Sequence, residues 1–422
     1  MGLQVFPDGW EINKIGDFCQ IRRGASPRPI HDFLSKEGIP WLKIADATKQ
    51  DSRYIDSTNQ YILEKGRPNT VMVKPGDLIV SNSATPGIPK FMRIHAGIHD
   101  GWLLIKPSKK VDKNFVYYLF LNERSKLIGL ANGTIFKNLK TDIVRDYKVA
   151  LPSLIEQEKI SKVLMSIDSK IELNREMNIT LETIGQAIFK RWFVDFEFPN
   201  QEGKPYRTSG GEMVYSEDLG KDIPNFFKVG NIYSLCDVIN GFPFSSKHFN
   251  NNQTGKPLIR IRDLKTLNPE FYSTEEDPRM IEVKPGDVIA GMDAEFRPWI
   301  WLGDVSYLNQ RLCMFKPKAP IHELFIYQIV EPLLKKEEQA KVGTTVIHLA
   351  KSDIDRWQTI IPIDAILASF SDLAAPLIER LIINSQEIRN LAKIRDLLLP
   401  RLLSGKIRVP LKEEIAGESL SV

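Results

Sequence analysis

The side chains of this chain best suited to chemistry are suited to gripping a polyanion and reading its edges. The stretch "RRGASPRP" (22–29) sets Arg22, Arg23 and Arg28 around a glycine turn beside Ser26. A guanidinium can take guanine O6 and N7 bidentately or hold a phosphate, and a serine hydroxyl can serve either purpose. "SNSATPG" (81–87) adds Asn82, whose amide matches adenine N6 and N7, together with Thr85 and, just beyond, Lys90. His99 opens "HDG" (99–101). In the second half, "NGFPFSSKH" (240–248) offers Lys247, and "GMDAEFRPW" (291–299) offers Arg297 and Trp299. "NQR" supplies Asn309, Gln310 and Arg311, all base-reading types. These stretches read as loops, where recognition side chains can vary over a fixed scaffold. Double-stranded DNA is the expected partner, with phosphate contacts outnumbering base contacts.

Bond-breaking chemistry finds no comparable support. No Gly-rich phosphate loop of the Walker type occurs, and the Asn/Asp-Pro-Pro-aromatic signature of amino-methyltransferases is replaced at best by "NPEF" (268–271). His95 and His99 stand four apart, but glycines at 97 and 101 and the apolar run that follows favour a turn leading into a strand over a zinc site. "EFR" (295–297), downstream of Asp287, resembles a nuclease carboxylate cluster only faintly, with Arg in place of Lys. Neither a catalytic residue nor a metal site is expected. Cys19, Cys236 and Cys313 lack metal spacing and read as buried thiols in a reducing cytoplasm.

The elements that must position those loops are written twice. "VKPGD" occurs at 73–77 and again at 283–287, each time between apolar runs, as "VMVKPGDLIV" and "MIEVKPGDVIA". Pro fixes one turn position and Gly supplies positive φ at the next, so a turn leading into a buried strand is expected. An offset of 210 also carries Pro107, Phe115 and Tyr117 onto Pro317, Phe325 and Tyr327. It carries "GTIFKNLKTDIVRDYKVALP" (133–152) onto "GTTVIHLAKSDIDRWQTIIP" (343–362), and "HDG" onto "NQR". Upstream the offset is 217, placing Pro7, Ile15, Cys19, Gly24, Ile44 and Asp46 on Pro224, Ile232, Cys236, Gly241, Ile261 and Asp263. The first copy therefore holds seven extra residues between Asp46 and Val73. Two long copies of one unit suggest pseudo-twofold symmetry, which suits a twofold object such as duplex DNA.

Length and composition are those of a globular protein of several domains: 422 residues, 42% hydrophobic, 26% charged, net charge +4. No apolar run reaches 18 residues, no signal-peptide pattern leads the chain, and "MGLQVF" lacks a myristoylation serine. The charge is uneven. Residues 1–150 hold 23 Lys and Arg against 15 Asp and Glu, whereas residues 211–360 hold 18 against 21. The first copy looks like a nucleic-acid binder on charge alone, and the second must rely on local placement.

After each β-rich copy the periodicity changes. Ile160, Val163, Ile167, Ile171, Asn174, Met177, Leu181, Ile184 and Ile188 recur in steps of three and four. Phe370, Leu373, Leu377, Leu381, Asn384, Ile388, Leu391, Ile394 and Leu398 do the same. Helices of about 35 to 40 residues would run about 50 to 60 Å at 1.5 Å per residue. Each leaves an apolar stripe, and the two stripes predict an antiparallel two-helix coiled coil. Asn174 and Asn384 occupy equivalent seam positions, either as buried residues fixing register or as residues turned partly to water. Two heads carried by such a coil would face major grooves about one turn of B-DNA apart, roughly 34 to 36 Å, or somewhat more. That predicts a split target with an unread spacer.

Three stretches bring a family resemblance: "LPSLIEQEKI" (151–160), "AIFKRWFVDFEFPN" (187–200) and "LLLPRLLSGKIRV" (397–409). With the duplicated layout, the chain resembles the specificity subunits of type I restriction-modification systems over nearly its whole length. Ser153 stands where the family often has Pro, and "IPIDAILASF" in the second copy lacks the Glu-Gln pair. The resemblance implies an α+β chain with a first target recognition domain (1–152), a central spacer helix (153–200), a second recognition domain (201–362), a C-terminal spacer helix (363–405) and a tail (406–422). It implies a non-catalytic subunit whose coil spaces the heads and docks methylation subunits, two being expected. S-adenosylmethionine would belong to those partners, and ATP and Mg to the restriction subunits, with no cofactor on this chain.

Two readings outside that family start from the same residues. A stand-alone DNA-binding regulator would bind its site tightly without partners. A scaffold whose duplicated heads bind protein would show affinity without a steep salt dependence.

Overall fold

The computed structural model describes residues 7–48, 52–130, 138–293, 295–341 and 347–410. The expectation about "MGLQVF", most of the tail, and the repeat segments 133–137 and 343–346 lie outside the described residues. The chain divides into two compact units: Met1–Glu172 with Leu391–Val422, and Leu173–Asn390. The division falls inside both long helices, not at their starts, so each unit owns part of each helix.

In the first unit, two five-stranded sheets supply the scaffold. One runs Cys19–Arg23, Trp102–Pro107, Leu78–Ser81, Pro89–Met92, Tyr54–Ile55 across its width. The other runs Leu34–Ser35, Gln60–Ile62, Ile39–Leu42, Ala96–Ile98, Val71–Val73. Leu78, Ile79 and Val80 are all fully buried, as a strand with apolar neighbours on both faces requires. Leu78 and Val80 face one apolar cluster, while Ile79 joins Trp102 and Leu104 in another.

The second unit repeats this order. Cys236–Asn240, Leu312–Pro317, Val288–Gly291 and Pro298–Ile300 form one sheet. Phe249–Asn250, Phe271–Ser273, Lys256–Ile259, Ser306–Leu308 and Glu282–Val283 form the other. Strands 236–240 and 256–259 stand 217 residues beyond their counterparts, and strands 288–291, 306–308 and 312–317 stand 210 beyond theirs. The single difference in sheet order lies where the first copy is longer: Tyr54–Ile55 adds a fifth strand, parallel to Phe91 and Met92.

The repeated pentapeptide builds the same turn in both units. Gly76 and Gly286 have φ of +87° and +103°. Their amides donate to Met92 O and Trp301 O, both at 2.7 Å. Asp77 Oδ2 accepts from the Lys74 amide at 2.9 Å, and Asp287 Oδ2 from the Lys284 amide at 2.7 Å. Each aspartate thus satisfies a turn amide that strand pairing leaves over.

The four longest helices among the described residues are α1 (Lys113–Leu130), α2 (Leu154–Phe189), α3 (Glu323–Lys341) and α4 (Asp364–Leu403). Helices α2 and α4 run for 36 and 40 residues. Ser153 opens α2, its hydroxyl accepting from the Glu156 amide at 3.3 Å. Helix α2 ends in a π turn at Lys190–Val194, which buries Trp192 and Phe193. Phe193 meets Phe325 and Phe370 edge to face at 4.8 and 5.1 Å. At the matching end of α4, Leu399, Leu402 and Leu403 are buried in the first unit's core. The motif stretches "FKRWF" and "LPRLL" are therefore the apolar plugs that close the two units.

In each unit the long-helix segments run antiparallel. In the first, Asp168 takes Arg395 at 3.0 Å and Tyr118 Oη at 2.6 Å. Further back along α2, Glu156 takes Arg408 through two bonds of 2.6 and 2.9 Å. In the second, Asn178 Oδ1 accepts from Asn384 at 2.8 Å, and Asn174 Nδ2 donates to Glu387 at 2.8 Å. Both Asn174 and Asn384 are fully buried, so neither turns to water, but they bond these neighbours and not one another.

The seam differs from a strict heptad reading. Val163, Ile184, Leu373 and Ile394 are exposed, whereas Leu164, Ala374 and Ile378 are buried. A long helix that packs on its own unit as well as on its partner helix buries a wider, rotated stripe than a two-helix seam.

Candidate nucleic-acid interface

In the first unit, strand 19–23 pairs antiparallel with 102–107, which pairs antiparallel with 78–81. The end of the first, the start of the second and the end of the third therefore lie at one edge. This topology brings together the three loops that the sequence nominates: 24–29, 82–88 and 99–101. Backbone bonds hold them in register. Gly24 N donates to Trp102 O, Ala25 N to Ile98 O and Asn82 N to Gly101 O. The second unit makes the equivalent bonds from Gly241 N to Leu312 O, Phe242 N to Leu308 O and Met292 N to Arg311 O. Gly24 and Gly241 are required by close approach: a Cβ on either would lie 2.1 Å from a carbonyl oxygen, of His99 or Asn309 respectively.

The side chains at this edge centre on Asp100. Its Oδ1 accepts from Ser26 Oγ at 2.7 Å, and its Oδ2 lies 3.8 Å from Arg23 and 3.7 Å from Arg28. The Asp100 carbonyl accepts from Arg23 Nε at 2.9 Å and from Asn82 Nδ2 at 3.1 Å. Burial pushes this carboxyl up, but the Ser26 hydroxyl, its own amide, His99 and Arg23 outweigh burial and hold it below the usual range. His99 Nδ1 accepts from the Gly101 amide at 2.7 Å, and burial lowers the imidazole pKa against the opposing pull of Asp100. Arg22 is exposed, and no side-chain partner binds it among the described residues.

The second unit fills the same edge with different chemistry. Arg311 Nη1 meets Asp293 Oδ2 at 2.9 Å, and His348 Nδ1 meets Asp293 Oδ1 at 2.6 Å. Arg297 pairs with Glu295 at 3.0 Å, and Lys265 reaches the same carboxylate at 3.1 Å. Gln310 and Lys247 are exposed, and the half-buried Asn309 caps the Arg311 amide at 3.3 Å.

Four sequence-nominated residues lie inward. Asn82 is 4% exposed, with Nδ2 committed to Asp100 O and Oδ1 buried without a partner. Thr85 buries its hydroxyl, and its carbonyl accepts from Ser81 Oγ at 2.6 Å. Lys90 is buried on strand 89–92, where its ammonium donates to Ser52 O. Trp299, on strand 298–300, packs against the apolar cluster of Ile289 and Met314. The strand pleat turns Lys90 and Trp299 into the unit, and the loop's bonds to Gly101, Asp100 and Ser81 hold Asn82 and Thr85 inward. The edge residues missed by sequence reasoning are the acids Asp100 and Asp293 and, bonded to Asp293, His348. Asp100 stood inside "HDG" as the signal, but an acid amid arginines is not a base-reading type expected on charge alone.

The described residues contain no group of three or more His, Cys, Asp or Glu placed to hold a metal. The three cysteines are free and buried, and burial pushes each thiol up to about 12. Among the described residues no helix is long and apolar enough to cross a membrane.

Each of the two units is an α+β scaffold that presents a polar, arginine-bearing loop edge and includes part of both long helices, which defines the class as a duplicated α+β protein. Residues 7–183 match the sequence model of the type I restriction modification DNA specificity domain. The MjaIX type I restriction enzyme specificity subunit of Methanocaldococcus jannaschii is 27% identical, over 96% of this chain and 94% of its own length. The HindI specificity subunit of Haemophilus influenzae is 22% identical, over 94% of this chain and 99% of its own. The crystal structure of a type I restriction-modification S subunit from M. genitalium shares the fold at a TM-score of 0.59, with 12% identity, covering 95% of this chain and 99% of that one. Residues 7–183 thus carry the DNA specificity domain of type I restriction-modification systems, and over nearly its whole length the chain is similar to their specificity subunits.

Proposed function

We propose that this chain is the DNA-recognition subunit of a type I restriction-modification complex, each unit reading one half of a bipartite target across an unread spacer. The observation that carries this reading is the loop edge built twice by equivalent backbone bonds but furnished with different side chains. Equal scaffolds with unequal loop chemistry are what two different half-sites require.

Within this reading Arg22, Arg23, Ser26, Arg28 and His99 face the first half-site. Lys247, Arg297, Asn309, Gln310 and Arg311 face the second. Asn82, Thr85, Lys90 and Trp299 support those loops from behind. Asn174 and Asn384 set the register of the helix pair. The chain performs no chemistry itself and directs methylation subunits, two per complex, and restriction subunits to the site in the cytoplasm. S-adenosylmethionine, ATP and Mg are held by those partners.

The test is co-expression with a candidate methylation subunit followed by genome-wide mapping of methylated adenines. A two-part motif with a fixed gap supports the proposal. A soluble complex that adds no methylation, or a contiguous motif, counts against it.

A further inference from the structure

Building on that proposed function, we infer that Asp100 is a specificity-determining residue of the first half-site: its Oδ2 accepts the exocyclic amino group of an adenine or cytosine, flanked by Arg23 and Arg28. One oxygen of the carboxylate is anchored by Ser26 at 2.7 Å. The other has only the ion pairs of 3.7 and 3.8 Å, well beyond the roughly 2.7 to 2.9 Å of a charge-assisted hydrogen bond. No side chain hydrogen-bonds Oδ2 among the described residues, and the Asp100 side chain is 42% exposed. An anchored, ionised acceptor therefore stands open at the loop edge between two arginines that are themselves 58% and 80% exposed.

A surface built only to grip phosphate gains nothing from an acid at its centre, because the acid repels the backbone it should attract. A surface that must discriminate does gain. A carboxylate accepts from cytosine N4 or adenine N6 and meets guanine O6 or thymine O4 with acceptor against acceptor. The arginines on either side offset its charge, so the rejection falls on the wrong base and not on DNA as a whole. The second unit also sets an acid at its loop edge, with Asp293 between the Arg311 guanidinium and the His348 ring, but from a different loop. By the 210 offset Asp293 corresponds to Ser83, and Asp100 corresponds to Gln310. The device therefore recurs without being a relic of the duplication.

The experiment compares wild type with Asp100→Asn in the full chain, co-expressed with its methylation subunit, by mapping methylated adenines. The asparagine keeps the size and adds a donor, so one position of one half-site should relax from adenine or cytosine to admit guanine or thymine. The other half-site and the gap should stay unchanged. Purified complex should lose about 10-fold in the ratio of specific to non-specific binding, within the roughly 1 to 3 kcal/mol of one base-pair mismatch. An unchanged motif with an unchanged ratio overturns the inference. If Asp100→Asn also loses the second half-site, its fold is damaged and Ser26→Ala decides. Relaxation at one position supports the inference, and an unrelaxed motif overturns it. A wild-type chain without a bipartite motif would instead sink the proposed function itself.

Discussion

Gly76 and Gly286 owe their identity to φ alone, since a Cβ on either would meet no atom closer than 3.4 Å. Valine at either position should therefore cost about 1 to 3 kcal/mol in the unit that contains it, through backbone strain without a clash. Differential scanning calorimetry should show one unit melting early in each variant, and methylation mapping should show only that unit's half-site lost. Arg22 is predicted to lie against the phosphates, so Arg22→Ala should lower the slope of log affinity against log salt by about 1 without changing the motif. His99 supplies a pH test. Burial holds its folded pKa below the ordinary value of 6.5, so the unfolded chain takes up the proton first. Its contribution is complete above 6.5 and is lost as pH falls through the folded value. The urea midpoint of the first unit should fall between pH 7.5 and 5.5, and by less in His99→Gln. The sequence marked the loops that the fold gathers at one edge, because glycine turns and arginine clusters are local signals. It did not show that Asn82 and Lys90 turn inward, because the loop bond to Asp100 and the pleat of a short strand are both set by partners far along the chain.

At the scale of elements, the long helices show where periodicity informs and where it fails. Two helices of nearly the expected length were legible from steps of three and four. The buried face was not, because Leu164 and Ala374 are chosen over Val163 and Leu373 by contact with each unit's own core. The same helices carry an ionic lock whose pairing no local pattern announces. Asp168 is buried between Tyr118 and Arg395, and although burial opposes it, Asp168 raises the Arg395 pKa above its ordinary value. Arg395→Leu leaves a buried carboxylate with one neutral donor and should destabilise the first unit by about 3 kcal/mol. A chemical-denaturation midpoint equal to wild type would show that the pair is dispensable.

The whole molecule is two copies of one unit, yet the copies are not assembled alike. The second unit is one continuous stretch, Leu173–Asn390, whereas the first is completed by Leu391–Val422. Ending the chain at Asn390 removes Arg395, Leu399, Leu402 and Leu403 from the first core while leaving the second intact. Calorimetry of such a truncation should show the second unit's transition preserved and the first unit's lost or broadened. On the ribosome this arrangement inverts the order of synthesis. The first unit emerges early but lacks its closing helix until all of the second has been made, some 10 to 45 s at about 5 to 20 residues per second. During that interval Ile160 and Leu164 have no Leu399 or Leu402 to cover them. The nascent chain thus presents the first unit to chaperones as an unfinished one, and the arrival of α4 decides when that exposure ends.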